Sequence, residues 1–314
     1  MEFLRKLLPY FLILRPKNLV IVCMTQAFLQ YFIILPLFGE KTVLYGYLAP
    51  LFIFVTILIA AGGYLINDLF DMHTDRINKP QMSYIPQQIS LKSAWTWYWS
   101  LLVIGFVLSI IIAIKTKAMH LLWIYPLASG LLFAYSKSLK STPLWGNMLV
   151  SLFTAFVWVI LFIAQMAVST TESGFNYGWL TAVCLFYGLF AFLTNLIREI
   201  VKDLEDLEGD TARGLNTTAA AWGIPFTKNI VTGLTLSTVL CLTVWALFSG
   251  LFQTFESRMY IFIFIAAPLL GIIIRIKSAF KRQDYTSVSN LLKLIMVAGL
   301  FSIFLITKEI NSFN

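Results

Sequence analysis

The chain has 314 residues, of which 59% are hydrophobic and only 12% are charged, and its mean hydropathy is +0.82. This composition excludes an ordinary soluble protein and indicates an integral membrane protein. The apolar runs are continuous and do not alternate, which argues against a membrane β-barrel. We assign the formal net charge of +8 to contact with anionic membrane lipids, and we expect no nucleic acid partner.

Residues 1–17 place Arg5, Lys6, Arg15 and Lys17 around the apolar segment LLPYFLIL, which predicts a short interfacial helix. A signal peptide would need a small-residue cleavage site, and the apolar run ends instead in Arg-Pro-Lys. We expect one all-α, polytopic membrane domain over residues 1–314. Its nine spans are predicted at 18–38, 46–67, 95–114, 119–136, 144–168, 178–197, 228–250, 258–276 and 289–307.

The basic residues test the orientation of these spans. With the N-terminus in the cytoplasm, 17 Lys and Arg side chains fall on the inside and 5 on the outside, and Lys293 lies within the last span. That bias agrees with the positive-inside rule. The sequence therefore predicts an N-terminus that faces the cytoplasm. We expect the protein to lie in a bacterial plasma membrane.

Two segments of nine residues, NDLFDMHTD and KDLEDLEGD, carry aspartates at one spacing, D-x-x-D-x-x-x-D, with matching positions 135 residues apart. We call Asp68, Asp71 and Asp75 the first stripe, and Asp203, Asp206 and Asp210 the second stripe. On one α-helix, these positions fall within about 60° of each other and span about 10 Å. Each triplet is therefore predicted to form one acidic stripe, and both stripes follow spans that end on the cytoplasmic side.

Carboxylates that repel one another in this way attract hard cations. Mg²⁺ takes one or two carboxylates and completes its coordination with waters and phosphate oxygens. A polyphosphate that reaches a site open to the bilayer would carry a long hydrocarbon, which points to an isoprenyl diphosphate. The alternative is a pair of solvated acidic helix ends without a ligand.

At these residues the chain resembles the UbiA superfamily of intramembrane prenyltransferases. Asn67, Asp71 and Asp75 match the family's first motif, N-x-x-x-D-x-x-x-D, and Asp206 and Asp210 match its second, D-x-x-x-D. The resemblance implies nine helices around a central cavity. It also implies that these five residues hold Mg²⁺ and the diphosphate, under a cytoplasmic cap made by loops 76–94 and 211–227.

Members of the family carry a tyrosine and a lysine in the loop after the fourth helix, which Tyr135 and Lys140 resemble. The lysine follows the tyrosine by five residues here and by four in the common pattern, so Lys137 stays open as the alternative. The resemblance assigns catalytic roles to Asp71, Asp206, Tyr135 and Lys140. The predicted substrate-binding residues are Asn67, Asp68, Lys79, Arg198 and Asp203.

The segment 78–88 departs from many relatives, because it lacks their arginine and their P-x-G turn. This altered cap loop predicts an unusual acceptor, a weaker grip on the diphosphate, or compensation by Lys79. Residues 198–210, with Pro143 and Gly146-Asn147, resemble the branch that includes geranylgeranylglycerol-phosphate geranylgeranyltransferases. Branches that act on quinone precursors, chlorophyll and haem O share the aspartates.

The function predicted from these residues is Mg²⁺-dependent transfer of an isoprenyl group to a lipophilic or aromatic acceptor. Metal-assisted ionisation of the prenyl diphosphate would give an allylic cation, which the acceptor then captures. The alternatives are an isoprenyl diphosphate cyclase or lyase of the same fold, and a cation-coupled transporter or non-catalytic membrane scaffold. Transporters usually place their charges near the bilayer midplane, whereas these aspartates lie at helix ends.

Overall fold

The computed structural model describes residues 2–78, 84–166 and 177–311, and all regular structure in these ranges is helical. The predicted all-α membrane fold is confirmed. The α-helices are α1 Glu2–Leu12, α2 Pro16–Leu29, α3 Leu35–Phe38, α4 Leu48–Asn78, α5 Leu91–Thr116, α6 Ile124–Lys137, α7 Trp145–Met166, α8 Tyr177–Glu205, α9 Leu207–Ala212, α10 Thr218–Trp222, α11 Ile224–Phe248, α12 Phe255–Tyr260, α13 Ala267–Ser278, α14 Arg282–Phe301 and α15 Ile303–Asn311. Two π-helical segments, Gln30–Ile34 and Ile261–Ala266, continue α2 and α12.

Within these described ranges, eight helical segments are long and apolar enough to cross a membrane. They account for every predicted span except 119–136. That stretch is helical in two short pieces, a 3₁₀ turn Met119–Trp123 and the 14-residue α6. Pro126 lies in the first turn of α6, where its missing N–H is tolerated and favours a helix start.

The chain divides into two compact units. The first comprises Met1–Ala27, Glu40–Lys140 and Ile163–Thr171, and the second comprises Phe28–Gly39, Ser141–Phe162 and Glu172–Asn314. The single domain over residues 1–314 that the sequence predicts stays a prediction.

In the first unit, α4 packs against α5 and α6. Small residues in α4 make the contact close, because a Cβ added at Gly63 would lie 3.1 Å from Leu132 and one added at Gly62 would lie 3.5 Å from Leu102. Such residues let helices approach in membranes, where packing replaces the hydrophobic effect as the driving force. The apolar core joins Leu65, Leu69 and their neighbours to Tyr98 of α5. These contacts hold the first stripe, which continues α4 past its apolar part.

In the second unit, α8 packs against α11 and α14, and two-thirds of the apolar part of α8 is buried. Gly299 of α14 faces the ring of Phe190, which leaves no room for a larger residue. One turn away, the Tyr187 hydroxyl lies 2.7 Å from that of Ser302, and its ring stacks on Trp158. This packing holds α8, whose last turn begins the second stripe.

Candidate active site

The first stripe lies on α4, which runs unbroken through Asp68, Asp71 and Asp75. Asn67 and Asp71 are one turn apart on this helix, and the Asn67 amide donates to Asp71 Oδ2 over 2.6 Å. Asp71 is 5% exposed. The predicted single acidic stripe is therefore found here, with its central carboxylate almost fully buried.

Lys140 also donates to Asp71 Oδ2, so this one oxygen accepts from an amide and an ammonium group. The lysine lies in the 3₁₀ turn Leu139–Ser141 that follows α6. Lys137, the alternative from the sequence, is the last residue of α6 and is exposed. Of the two lysines, Lys140 is the one whose contact to the stripe is described. A buried carboxylate needs such a partner to stay ionised.

Asp68 accepts a hydrogen bond from Arg15 over 2.6 Å. The guanidinium also lies over the ring of Tyr64, 5.1 Å from its centre. Arg15 has a left-handed backbone (φ 54°) between α1 and α2, which turns the chain sharply at this point. Burial alone would lower the pKa of Arg15, but the charges of Asp68, Tyr64 and Asp75 and the hydrogen bond to Asp68 together outweigh it, and the pKa is raised. Arg15 is therefore a fixed cation beside the first stripe.

The second stripe does not lie on one helix, so that part of the prediction is wrong. Asp203 is in the last turn of α8, Asp206 sits in the bend between helices with φ −100° and ψ 7°, and Asp210 belongs to α9. Helical hydrogen bonds continue across the bend, from the Asp206 N–H to Lys202 and from the Asp210 N–H to Asp206. Asp and Gly are weak helix formers, and this segment combines three aspartates with Gly209.

Asp203 belongs to a closed ring of hydrogen bonds with Asn147 and Thr218. Its Oδ2 accepts from the Asn147 amide and from the Thr218 N–H, each over 3.1 Å. The Thr218 hydroxyl donates to Asn147 Oδ1 over 2.7 Å and accepts from the Leu144 N–H over 2.9 Å. Asn147 and Thr218 are both buried. The ring joins the start of α7, the end of α8 and the start of α10.

Asp210 is 5% exposed, and its Oδ2 accepts from the Thr217 hydroxyl over 3.1 Å. The backbone carbonyl of Asp210 accepts from the Leu215 N–H at the end of α9. Gly214 makes that closure possible with its left-handed backbone, φ 66°, which is the usual end of a helix. The loop after α9 therefore folds back onto the stripe.

Charged and polar groups border the second stripe. Arg282 donates to Asp206 over 3.3 Å, and Thr286 donates to Glu205 over 3.0 Å. Arg198, a predicted substrate-binding residue, donates to Glu199 over 3.0 Å. Lys202, which was not predicted as a site residue, donates to the same oxygen over 2.7 Å. Tyr135 is half-buried in α6. Lys79 lies outside the described residues.

The partners Arg15, Asn147, Thr217, Thr218 and Arg282 were not predicted as site residues. Asn147 had a signal, because Gly146-Asn147 was part of the resemblance to one branch, and Thr217 and Thr218 lie in the predicted cap loop 211–227. Arg15 and Arg282 contact the stripes across 53 and 76 positions of sequence. Thr217 and Thr218 contact the second stripe from a loop that has no periodic pattern.

We tested whether these donors suit the predicted Mg²⁺. Carboxylate and amide oxygens are ligands that Mg²⁺ takes; both stripes supply carboxylates, and Asn67 beside the first stripe supplies an amide oxygen. Within either unit, no three His, Cys, Asp or Glu side chains of the described residues form a group that could hold a metal ion. Mg²⁺ usually binds one or two carboxylates and completes its shell with waters and substrate phosphate oxygens, and the carboxylates of the stripes fit that mode of binding.

Comparisons with known proteins point to one family. The model of the UbiA prenyltransferase family matches residues 21–298. A digeranylgeranylglyceryl phosphate synthase from Saccharolobus solfataricus is 35% identical over 234 residues, which cover 74% of this chain and 77% of that protein. A synthase of the same name from Korarchaeum cryptofilum is 31% identical over 252 residues, which cover 79% and 82%.

Solved structures share the fold. One, of digeranylgeranylglyceryl phosphate synthase, has a TM-score of 0.63 and 26% identity over 96% of this chain and 99% of that one. A UbiA homologue from Archaeoglobus fulgidus, bound to GPP and Mg²⁺, has a TM-score of 0.56 and 19% identity over 94% and 99%. The second likeness supports the helical architecture alone.

Proposed function

The chain belongs to the UbiA prenyltransferase family, and from that premise we propose that it transfers an isoprenyl group from a prenyl diphosphate to a glyceryl phosphate lipid, with Mg²⁺ as cofactor. It is an integral membrane enzyme. One observation carries the assignment of its site. Asp71, which is almost fully buried near the end of α4, accepts hydrogen bonds from Asn67 and from Lys140 on the same carboxylate oxygen.

In this proposal the metal ligands are those that match the family motifs, Asn67, Asp71, Asp75, Asp206 and Asp210. Bound Mg²⁺ would supply a Lewis acid that neutralises charge building on the diphosphate as it leaves. Carboxylates held in fixed directions need no rearrangement at the moment of reaction, which is where enzymes gain most of their electrostatic stabilisation. Asn67 contributes by holding the Asp71 carboxylate in one orientation.

Lys140 adds a positive charge beside Asp71, where it can bind the leaving diphosphate and share its negative charge. Tyr135 lies five residues before it, half-buried, and acts in this proposal as a contact to the diphosphate. Arg198 supplies a second cation near the end of α8. Breaking the allylic C–O bond leaves a cation on the prenyl chain, which an acceptor oxygen captures while a stripe carboxylate takes the hydroxyl proton.

The names of the relatives guide the choice of acceptor. Both synthases compared above are named for a glyceryl phosphate that carries two geranylgeranyl groups. We therefore expect this chain to use geranylgeranyl diphosphate as the donor and a glyceryl phosphate with one prenyl chain as the acceptor. Such an acceptor is lipophilic, as predicted from the sequence, but it is not aromatic.

We place the N-terminus and both stripes on the cytoplasmic face of a plasma membrane. The two pieces of helix in 119–137 add up to about 31 Å at the usual rises of α- and 3₁₀-helices, close to the ~30 Å thickness of a bilayer core. A crossing there would give the nine alternating spans with which the charge bias agrees. The two relatives come from archaea, and the bacterial origin stays a prediction.

The experiment offers the purified enzyme isotopically labelled geranyl, farnesyl or geranylgeranyl diphosphate in Mg²⁺. Acceptors are a geranylgeranyl glyceryl phosphate, its dephosphorylated alcohol and a hydroxybenzoate, with a reaction that lacks acceptor. Mass spectrometry should find the labelled C20 group on the phosphate lipid and no product in EDTA. Transfer to the hydroxybenzoate alone would overturn the acceptor, and a hydrocarbon released without acceptor would favour the cyclase.

A further inference from the structure

The loop that follows α9 reaches back to two of the three aspartates of the second stripe, one through Thr217 and one through Thr218. We propose that this threonine pair positions the second stripe: Thr217 aims Asp210 at the metal, whereas Thr218 and Asn147 make Asp203 an anchor for the loop and not a ligand. This inference rests on the proposed function, and it gives different roles to Asp203 and Asp210, two of the three aspartates that the spacing makes equivalent.

Asp203 is held as an anchor through its Oδ2 atom. That oxygen already accepts two hydrogen bonds, from the Asn147 amide and from the Thr218 N–H at the start of α10. Thr218 is fully buried and its hydroxyl bridges Asn147 and the Leu144 N–H, so the ring has little freedom to rearrange. Moving Asp203 toward a metal would leave the first N–H of a buried turn without its acceptor, which is costly.

Asp210 is positioned by the Thr217 hydroxyl, which donates a hydrogen bond to its carboxylate. Thr217 occupies the position before α10 where a threonine side chain normally caps the helix, yet it makes no capping bond and donates to Asp210 Oδ2. Both residues are buried, with exposures of 4% and 5%. The hydroxyl therefore fixes the carboxylate while Leu215, on the same loop, binds the Asp210 carbonyl.

A hydrogen bond of this kind orients a metal-ligating carboxylate, and its loss typically lowers metal affinity about 10- to 100-fold. Thr217 does not touch a reacting atom in this scheme, so it is a positioning residue. The expected signature is a change in the response to Mg²⁺ with little change in turnover at saturating metal. A residue that only supports the fold would instead lower activity at every Mg²⁺ concentration.

The first test compares Thr217→Val, which keeps the shape and removes the hydroxyl, with Thr217→Ser, which restores it. Thr211→Val is the matched control. Within the part of the chain that the structure describes, the exposed Thr211 hydroxyl donates only to the backbone carbonyls of Leu207 and Glu208 in its own helix. We expect Thr217→Val to raise the half-saturating Mg²⁺ concentration about tenfold, with kcat within twofold of wild type. Thr217→Ser and Thr211→Val should behave as wild type.

A second readout does not depend on turnover. In the presence of a non-reactive prenyl thiodiphosphate, Mg²⁺ should raise the thermal unfolding temperature of the wild-type enzyme. We expect Thr217→Val to need about tenfold more Mg²⁺ for the same rise. An unchanged Mg²⁺ response in both readouts would overturn the role of Thr217. If Thr217→Val does not fold, Thr217→Ala, which asks for less space, replaces it in the same comparison.

The second test concerns Asp203. An amide oxygen can accept both bonds that Oδ2 now accepts, so Asp203→Asn should keep the loop in place and leave the half-saturating Mg²⁺ concentration within threefold of wild type. Asp203→Leu should lose the ring, seen as faster hydrogen exchange at residues 213–222. A Mg²⁺ requirement raised tenfold or more in Asp203→Asn, with normal exchange, would show that Asp203 is a ligand. Failure of the wild type to transfer any prenyl group would instead refute the proposed function.

Discussion

The two stripes share one spacing but differ in what holds them. The first lies on a continuous helix, where Arg15 and Lys140 bring permanent positive charges to Asp68 and Asp71. The second crosses a bend, where neutral groups hold Asp203 and Asp210 and a guanidinium that is 43% exposed reaches Asp206. Identical motifs therefore sit in different electrostatic surroundings.

This difference has a chemical consequence. Cations beside the first stripe favour an anionic ligand there, because the leaving diphosphate can share the charge of Lys140. Neutral donors orient the second stripe without cancelling its charge, which suits the binding of a metal ion. We infer that the first stripe contributes more to stabilising the leaving group and the second more to metal affinity.

The largest effect is expected from removing the central carboxylates, which tests whether both stripes are needed. Asp71→Asn and Asp206→Asn should each lower kcat/KM by about 10² to 10³, the usual loss when a positioned electrostatic group is removed. Glu208→Gln is the matched control, because Glu208 is exposed in the same acidic segment. Transfer of labelled prenyl groups measures all three. Normal activity of either asparagine variant would remove that stripe from the active site.

The next effect separates the two lysines near the first stripe. Lys140→Gln should lower kcat by about 10², since it removes a cation from the leaving group and leaves Asp71 buried beside a neutral side chain. Lys137→Gln should retain activity within twofold, because Lys137 is exposed. Steady-state kinetics at saturating Mg²⁺ provides the measurement. Equal losses in the two variants would contradict the assignment of Lys140.

A smaller effect concerns Arg15, which tests whether the first stripe depends on cations for stability. The Arg15 side chain is 39% exposed, so solvent weakens its bond to Asp68 and we expect a coupling of about 1 kcal/mol. A double-mutant cycle of Arg15→Gln and Asp68→Asn, read from unfolding in detergent, measures it. Arg15→Lys should recover part of the stability but not the stacking on Tyr64. Additive effects of the two variants would show that no coupling exists.

The sequence predicted the parts of this site that local geometry governs. Hydropathy located α4 and α8, and the spacing of Asn67 and Asp71 placed them one turn apart, as found. The bend at Asp206 escaped prediction because helix propensity is a weak guide. The hydrogen bonds that Asn147 and Thr218 donate to Asp203, three residues before the bend, join distant parts of the chain and leave no local pattern in the sequence.

Contacts between distant residues could not be read from the sequence. Lys140 reaches Asp71 across 69 positions and Thr218 reaches Asn147 across 71, and neither pair follows a helical period. The choice between Lys137 and Lys140 depended on where α6 ends, because the 3₁₀ turn that follows changes the direction of the next side chains. Helix ends are the least predictable part of a helix.

The smallest effect belongs to Arg282, the cation of the second stripe. Its bond to Asp206 is 3.3 Å long and its side chain is 43% exposed, so Arg282→Gln should cost less than about 0.5 kcal/mol of stability. Turnover should stay within threefold of wild type, and the difference should shrink as salt is raised, because exposed ion pairs are screened. Detergent unfolding and kinetics in low and high salt measure both. A loss as large as that of Lys140→Gln would mean that the second stripe also depends on a cation, and the contrast between the stripes would then be one of position and not of charge.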